Sequence, residues 1–324
     1  MDFSVTSPTI SRLLRGIKAT GRRIFRARYD KRLQNHLMER PARIARILER
    51  PNEPQSIDSE EIFDRLQLSG NPPLKYDYDR LSTWRRGIDR ASRLIVACDI
   101  IEPGSRTLEV CCGDGMVSTT LASYGHVPTL LDVEDWRDDR ARAHEFVNHD
   151  IANAIPLGHE TFDAVFSYNA FEHVPDPAFA LQEVIRVTRP GGRIHLDFDP
   201  LYSSAWGLHA WRTFKMPYPQ FLFSEDFIQK KLQTLGLIDL GKSLASLQPL
   251  NKWRLREFRE LWQNCGCEII SLDEHKDARF LRIVEEYPDA FCGRDLQYDD
   301  LITSGVRVTL RKRVSNLDSG SVSR

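Results

Sequence analysis

The stretch Leu108-Glu109-Val110-Cys111-Cys112-Gly113-Asp114-Gly115 constrains what this 324-residue chain can fold into more than any other. A short apolar run, Thr107 to Val110, enters a turn with glycines at 113 and 115, and Met116 to Ser123 then shows a helical pattern. Strand, glycine turn and helix form the opening unit of an α/β sheet. Glycines in such a turn let backbone approach a ligand that a Cβ would hold off, and the free N–H groups of the following helix face the same place. A dinucleotide fingerprint needs a third glycine, whereas this chain has Cys111 and Ser118 at the flanking positions. Phosphate cradling is therefore poorly supported.

Short apolar runs and helical patterns alternate from there on. Strands are predicted at Val127 to Leu131, Glu145 to Asn148, Ala164 to Ser167 and Arg193 to Phe198, with helices at Trp136 to Ala143 and Ala178 to Thr188. A further helix is predicted at Leu255 to Cys265, and strands at Glu268 to Leu272 and Gly305 to Leu310. This alternation predicts right-handed crossovers and a parallel sheet covered on both faces, with ligands outside the carboxyl ends of the strands. Asp132, Asp150 and Asn169 follow the second, third and fourth strand patterns. Each alone is an ordinary turn or cap residue. Together, in register with Gly113 and Gly115, they point to one site.

Glu109-x-x-x-Gly113-x-Gly115 resembles motif I of the class I S-adenosylmethionine-dependent methyltransferases, usually Asp/Glu-x-Gly-x-Gly-x-Gly, with Cys111 where the family has its first glycine. Phe162 to Val174 resembles the family's fourth-strand motif, and Arg189-Pro190-Gly191-Gly192 its turn before the fifth strand. The resemblance, of the methyltransferase type 11 kind, is strong over residues 106–199. It implies a Rossmann-like α/β fold: a mostly parallel seven-stranded sheet with an antiparallel last strand, N-terminal helices and an aromatic-rich insertion after strand five. It also implies an adenosylmethionine cofactor, held by the backbone from Cys111 through Gly113 to Gly115. Glu109 is then expected near the methionine amino group, Asp132 on the ribose, Asp150 with Ile151 at the adenine, and Asn169 near the sulfonium. A helix over Tyr76 to Ile101 would cover one side of this pocket, with Tyr76 and Trp84 as lining candidates.

Composition fits a soluble globular protein, at 41% hydrophobic and 28% charged, with no apolar run long enough to span a bilayer and no secretory core at the N-terminus. A cytoplasmic protein is expected, its six cysteines reduced. The net charge of -1 conceals thirteen Lys and Arg against three acidic residues between positions 11 and 50. There Ile10, Leu13, Leu14, Ile17, Ile24 and Phe25 fall at helical spacing opposite the arginines. A solvated basic face is the leading reading, peripheral contact with the inner face of a membrane the second, and nucleic acid a distant third. The expected organisation is a basic amphipathic segment over 1–50, a helical cap over 51–103, a methyltransferase core over 104–314 with a substrate-side insertion at about 200–250, and a disordered tail over 315–324. The oligomeric state has no signal in the sequence.

Methyl transfer is an in-line displacement, so alignment and water exclusion dominate, with a base where the acceptor is a hydroxyl. Candidate bases are Asp199, His209 and His173. Asp197 and Asp199 share one strand face, and Cys265 and Cys267 lie close together, but neither pair has further ligands, so no metal is expected. Tyr202, Trp206, Trp211, Phe214, Tyr218 and the phenylalanines at 221, 223 and 227 crowd the insertion, as either a wall for a ring-bearing acceptor or a satellite core. The segment Asn251 to Phe258 resembles one in bacterial relatives lying among sugar-polymer genes. O-methylation of a sugar or glycan-pathway hydroxyl is thus the leading expectation for a small-molecule acceptor. Behind it stand a lipid or quinone-like acceptor and a non-catalytic adenosylmethionine-binding module.

Overall fold

The computed structural model describes residues 38–72, 78–239 and 242–314. Its framework is a seven-stranded sheet of β1 (Arg106–Val110), β2 (Val127–Asp132), β3 (Glu145–Asn148), β4 (Phe162–Tyr168), β5 (Thr188–Phe198), β8 (Glu268–Lys276) and β9 (Thr303–Arg311), in the order β3-β2-β1-β4-β5-β9-β8. The five strands β1 to β5 pair in parallel, and β9 runs antiparallel to both β5 and β8. The expected sheet is thus the observed one. The chain leaves β1 outward through β2 and β3, then returns to add β4 on the other side, which opens a crevice at the carboxyl ends of β1 and β4.

Local chemistry sets the helices. Asp79 accepts hydrogen bonds from the N–H groups of Leu81 and Ser82, and so starts α3 (Arg80–Ala97) inside the longer span that periodicity predicts. Asp176 does the same for Ala178 and Phe179 ahead of Pro177, the first residue of α5 (Pro177–Val187). The helix expected over Trp136 to Ala143 is absent, and a single 3-10 turn, Asp139–Ala141, takes its place. Asp135 and Asp138 each bind the backbone N–H and the guanidinium two residues on, at Arg137 and Arg140. Those side-chain loops compete with helical bonding.

A second core stands apart from the sheet. It gathers a helix over residues 38–48 (α1), α2 (Glu60–Ser69), the post-β5 insertion with α7 (Glu225–Leu235), and the segment 277–302 between β8 and β9. Ile44, Phe63, Phe214, Tyr218, Phe221 and Phe291 are all buried in it. Phe63 meets Phe214 edge-on at 6.0 Å, and Tyr218 meets Phe291 edge-on at 5.4 Å while its hydroxyl donates to Leu301 O. Gln67 on α2 clamps Thr213 O and Lys215 N at 2.7 and 3.0 Å. Of the two roles open to the aromatic insertion, the satellite core is therefore the observed one.

The basic stretch joins that core through charge. Arg43 and Arg40 bind Glu285 at 2.9 and 3.4 Å, and Arg50 reaches Asp289 at 3.5 Å. The amphipathic pattern at residues 10–25, Tyr76 and the tail 315–324 lie outside the described residues. Among the described residues no helix is long and apolar enough to cross a membrane.

Candidate functional site

The glycine turn after β1 takes three left-handed residues in five: Cys111 at φ 55°, Gly113 at φ 52° and Gly115 at φ 68°. Gly115 is obligatory for packing, because a Cβ there would lie 2.6 Å from Leu130 Cδ2 and 2.8 Å from Ala141 Cβ. A Cβ on Gly113 would meet nothing within 4 Å, so that residue presents bare backbone to open space. Cys111 adopts the conformation that suits glycine, at roughly 1–2 kcal/mol for a side-chain-bearing residue.

Carboxylates fix this turn. Asp132, at the end of β2 and 8% exposed, accepts from Gly113 N at 2.9 Å and from Val133 N at 2.8 Å. Burial raises its pKa, against the hydrogen bonds that lower it. Asp114 accepts from Met116 N at 3.0 Å and pairs with Arg86, a buried residue of α3. Arg90, also on α3, donates to Asn169 Oδ1 at 3.2 Å and stacks over the Tyr168 ring at 4.7 Å. One covering helix thereby grips the ends of β1 and β4, a pair of contacts that the sequence reading missed because neither arginine carries a motif.

Glu109, expected from the resemblance near the methionine amino group, lies at the end of β1. It is 3% exposed and tucked beneath the turn, where Oε2 accepts from Ser118 N at 3.1 Å and Ser118 Oγ at 2.6 Å. Burial lifts its pKa to about 8. Asp150 is exposed after β3 and accepts from Ala152 N at 2.9 Å, Ile151 beside it is buried, and Asn169 is exposed after β4 at φ 53°. Trp84 is half-buried under the Arg140 guanidinium.

Burial pushes the Cys111 thiol well above its ordinary pKa, and the negative fields of Asp132, Asp150 and Glu172 push it further. Carboxylates from the loops after β2, β3 and β4 therefore converge on one residue of the glycine turn. A pyrophosphate would be repelled there, and a cationic ligand drawn in.

At the neighbouring strand ends, Glu172 and His173 after β4 meet His209 after β5. Their ligand-capable atoms lie within 4.8 Å of one another, and the two imidazole rings stand edge to face at 4.8 Å. Asn251 holds the first loop by donating Nδ2 to Phe171 O and Val174 O, at 2.6 and 3.0 Å. Of the three expected bases, the structure brings His173 and His209 together, while Asp199 stands outside their group, against Gly305 at the end of β5. Asp197 accepts from Arg307 Nε at 2.8 Å, which separates it from any pairing with Asp199. Glu172 is the residue that sequence reasoning passed over, although it adjoins His173 in the fourth-strand motif.

Residues 108–196 match the family described as a methyltransferase domain. The ubiquinone biosynthesis O-methyltransferase of Xanthomonas campestris pv. campestris (strain B100) is 32% identical over 109 residues, covering 31% of this chain and 46% of that protein. The demethylmenaquinone methyltransferase of Halalkalibacterium halodurans is 30% identical over 146 residues, covering 42% and 56%. The chain thus spans about half the length of these curated relatives. A solved SAM-dependent methyltransferase from Methanosarcina mazei superposes with a TM-score of 0.42 at 19% identity, covering 65% of this chain and 93% of that one. Residues 108–196 thus carry a methyltransferase domain, set on the strand order and glycine turn described above.

Proposed function

We propose that the chain transfers a methyl group from adenosylmethionine to a hydroxyl of a small quinone-like or phenolic acceptor. The observation that supports the cofactor is the bare-backbone turn at Gly113, held by Asp132, with the carboxylates of Asp132, Asp150 and Glu172 acting on the adjoining Cys111. That field suits a ligand bearing an ammonium and a sulfonium. The acceptor class follows the names of the two relatives, which favour a quinone-type ring over the sugar hydroxyl expected from sequence.

Bound adenosylmethionine supplies an electrophilic methyl on a sulfonium that leaves as a neutral thioether. The chain's own work is placement and proton transfer. Each Asp132 oxygen holds one backbone N–H and keeps a lone pair for a ribose hydroxyl. Asp150 and Ile151 flank the adenine position, and Asn169 reaches toward the reacting end. Glu109 acts from below by fixing the first turn of α4 (Met116–Ser123). His209 or His173 takes the acceptor's proton as the carbon–oxygen bond forms. The basic segment 11–50 would bring the site to an anionic membrane surface where a lipid-soluble acceptor resides.

The test is incubation of the purified chain with methyl-labelled adenosylmethionine and, in parallel, a hydroxylated benzoquinone precursor and a panel of free sugars. Label in the aromatic product is expected. Label in the sugars alone would overturn the acceptor class, and tight cofactor binding with no product from extracts would recast the chain as a non-catalytic module.

A further inference from the structure

We propose that Glu172, His173 and His209 form a binding site for one divalent first-row transition-metal ion of the Zn2+ type. The donor set comes first. Two imidazoles and one carboxylate suit Zn2+, Co2+ or Fe2+, whereas Mg2+ and Ca2+ favour all-oxygen shells. These three residues are the one ligand-capable group of its kind among the described residues.

The imidazole tautomers are already set for ligation. His173 Nδ1 lies 2.8 Å from Pro249 O, and His209 Nε2 lies 2.7 Å from Pro200 O. A carbonyl oxygen only accepts, so each of those nitrogens carries the proton. The lone pairs are thereby left on His173 Nε2 and His209 Nδ1. A backbone carbonyl behind each imidazole is the arrangement that orients metal-binding histidines and raises their basicity.

Placement agrees. Glu172 is 2% exposed, and its Oε1 stands 3.9 Å from His173 Nε2. Ligand atoms in a tetrahedral zinc site are about 3.4 Å apart, so a spread of at most 4.8 Å closes by small side-chain rotations. The frame is held in position: Asn251 pins the 171–174 loop, and His209 is buried at a positive φ of 59°. Backbone strain of this kind collects at functional positions. Three protein ligands leave a coordination position open at the carboxyl ends of β4 and β5. In the methyl-transfer reading, on which this role alone rests, an acceptor oxygen bound there gives its proton to water, and the two imidazoles serve the ion in place of acting as the base.

The experiment uses the full chain, stripped with a chelator and titrated with Co2+. Visible d–d absorption reports on binding, equilibrium dialysis with Zn2+ gives stoichiometry, and calorimetry with adenosylmethionine runs alongside. One Co2+ per chain is expected, displaced by Zn2+. His209→Gln and His173→Gln should each weaken Co2+ by more than about 100-fold, beyond the roughly 10–100-fold that loss of an outer-shell partner costs. His209→Gln should melt normally and keep its adenosylmethionine affinity, and Glu172→Gln serves as the third ligand variant. Stripped protein that binds adenosylmethionine but takes up neither metal overturns the inference and leaves a protein-only imidazole pair. So does Co2+ binding that all three variants leave unchanged. Co2+ bound at this triad without any adenosylmethionine binding keeps the inference and sinks the methyl-transfer reading instead.

Discussion

The sheet and the second core are both close-packed and both rich in fully buried side chains, yet they are built by opposite rules. From Arg106 to Phe198 the sheet is assembled from neighbours in sequence, each strand following the last through one crossover. The second core draws on residues 38–69, 200–247 and 280–302, which meet only in space. Phe63 and Phe214, or Tyr218 and Leu301, touch across large sequence separations. The functional residues sit on the first kind of architecture, where strand ends fix positions. His209 is the exception, because the insertion that feeds the second core delivers it back to the end of β5.

The sharpest way to break this comparison is to empty the second core. Phe214→Ala should cost about 3–5 kcal/mol, as for other buried phenylalanines, measured by urea unfolding, while adenosylmethionine affinity stays as it was. Parallel loss of cofactor binding would show that the two cores act as one. On the sheet side, Asp132→Ala removes a charged acceptor from the Gly113 turn. Calorimetry should record a loss of about 1.5–3 kcal/mol in adenosylmethionine binding, beside a fall in melting temperature from the Gly113 and Val133 N–H groups left without their acceptor. Unchanged affinity would take Asp132 out of the site.

The smallest effect, counted per pH unit, separates the cores by pH. Glu109 belongs to the sheet, and its folded pKa of about 8 exceeds the ordinary 4.5. Between those values the folded state keeps a proton that the unfolded state has lost, so stability falls as pH rises through the window. The slope reaches at most about 1.4 kcal/mol per pH unit. His195, buried between β4 and β9 with a folded pKa of about 4, works the other way: its contribution is lost as pH falls from 6.5 toward 4. Glu109→Gln should flatten the alkaline decline in thermal melts, and a persistent decline in the variant would assign it elsewhere.

Legibility in the sequence follows the same division. The existence and order of β1 to β5, the crossover helices α4 and α5, and the strand-end row Asp132, Asp150 and Asn169 all follow from local periodicity, although β5 starts at Thr188, five residues before its predicted start. The false helix at Trp136 came from apolar spacing, where Asp135 and Asp138 bind their own backbone. The contact of Glu109 with Ser118 was not read, because a motif states residue type and not side-chain direction. The elements between Lys276 and Thr303 went unread, since α9 (Arg282–Glu286) and α10 (Tyr298–Ile302) are too short for a periodic signal. The meeting of His173 with His209 is a property of strand order, which no single window of sequence contains.

Cys111 gains a further meaning from its surroundings. Adenosylmethionine is itself an alkylating agent, and a thiolate in its cleft would compete with the acceptor for the methyl group. Burial and the fields of Asp132, Asp150 and Glu172 hold Cys111 in the unreactive thiol form. Mass spectrometry after long incubation with labelled cofactor should therefore find Cys111 unmethylated. In the proposed reading, the carboxylates that would draw the reagent in also protect the chain from it.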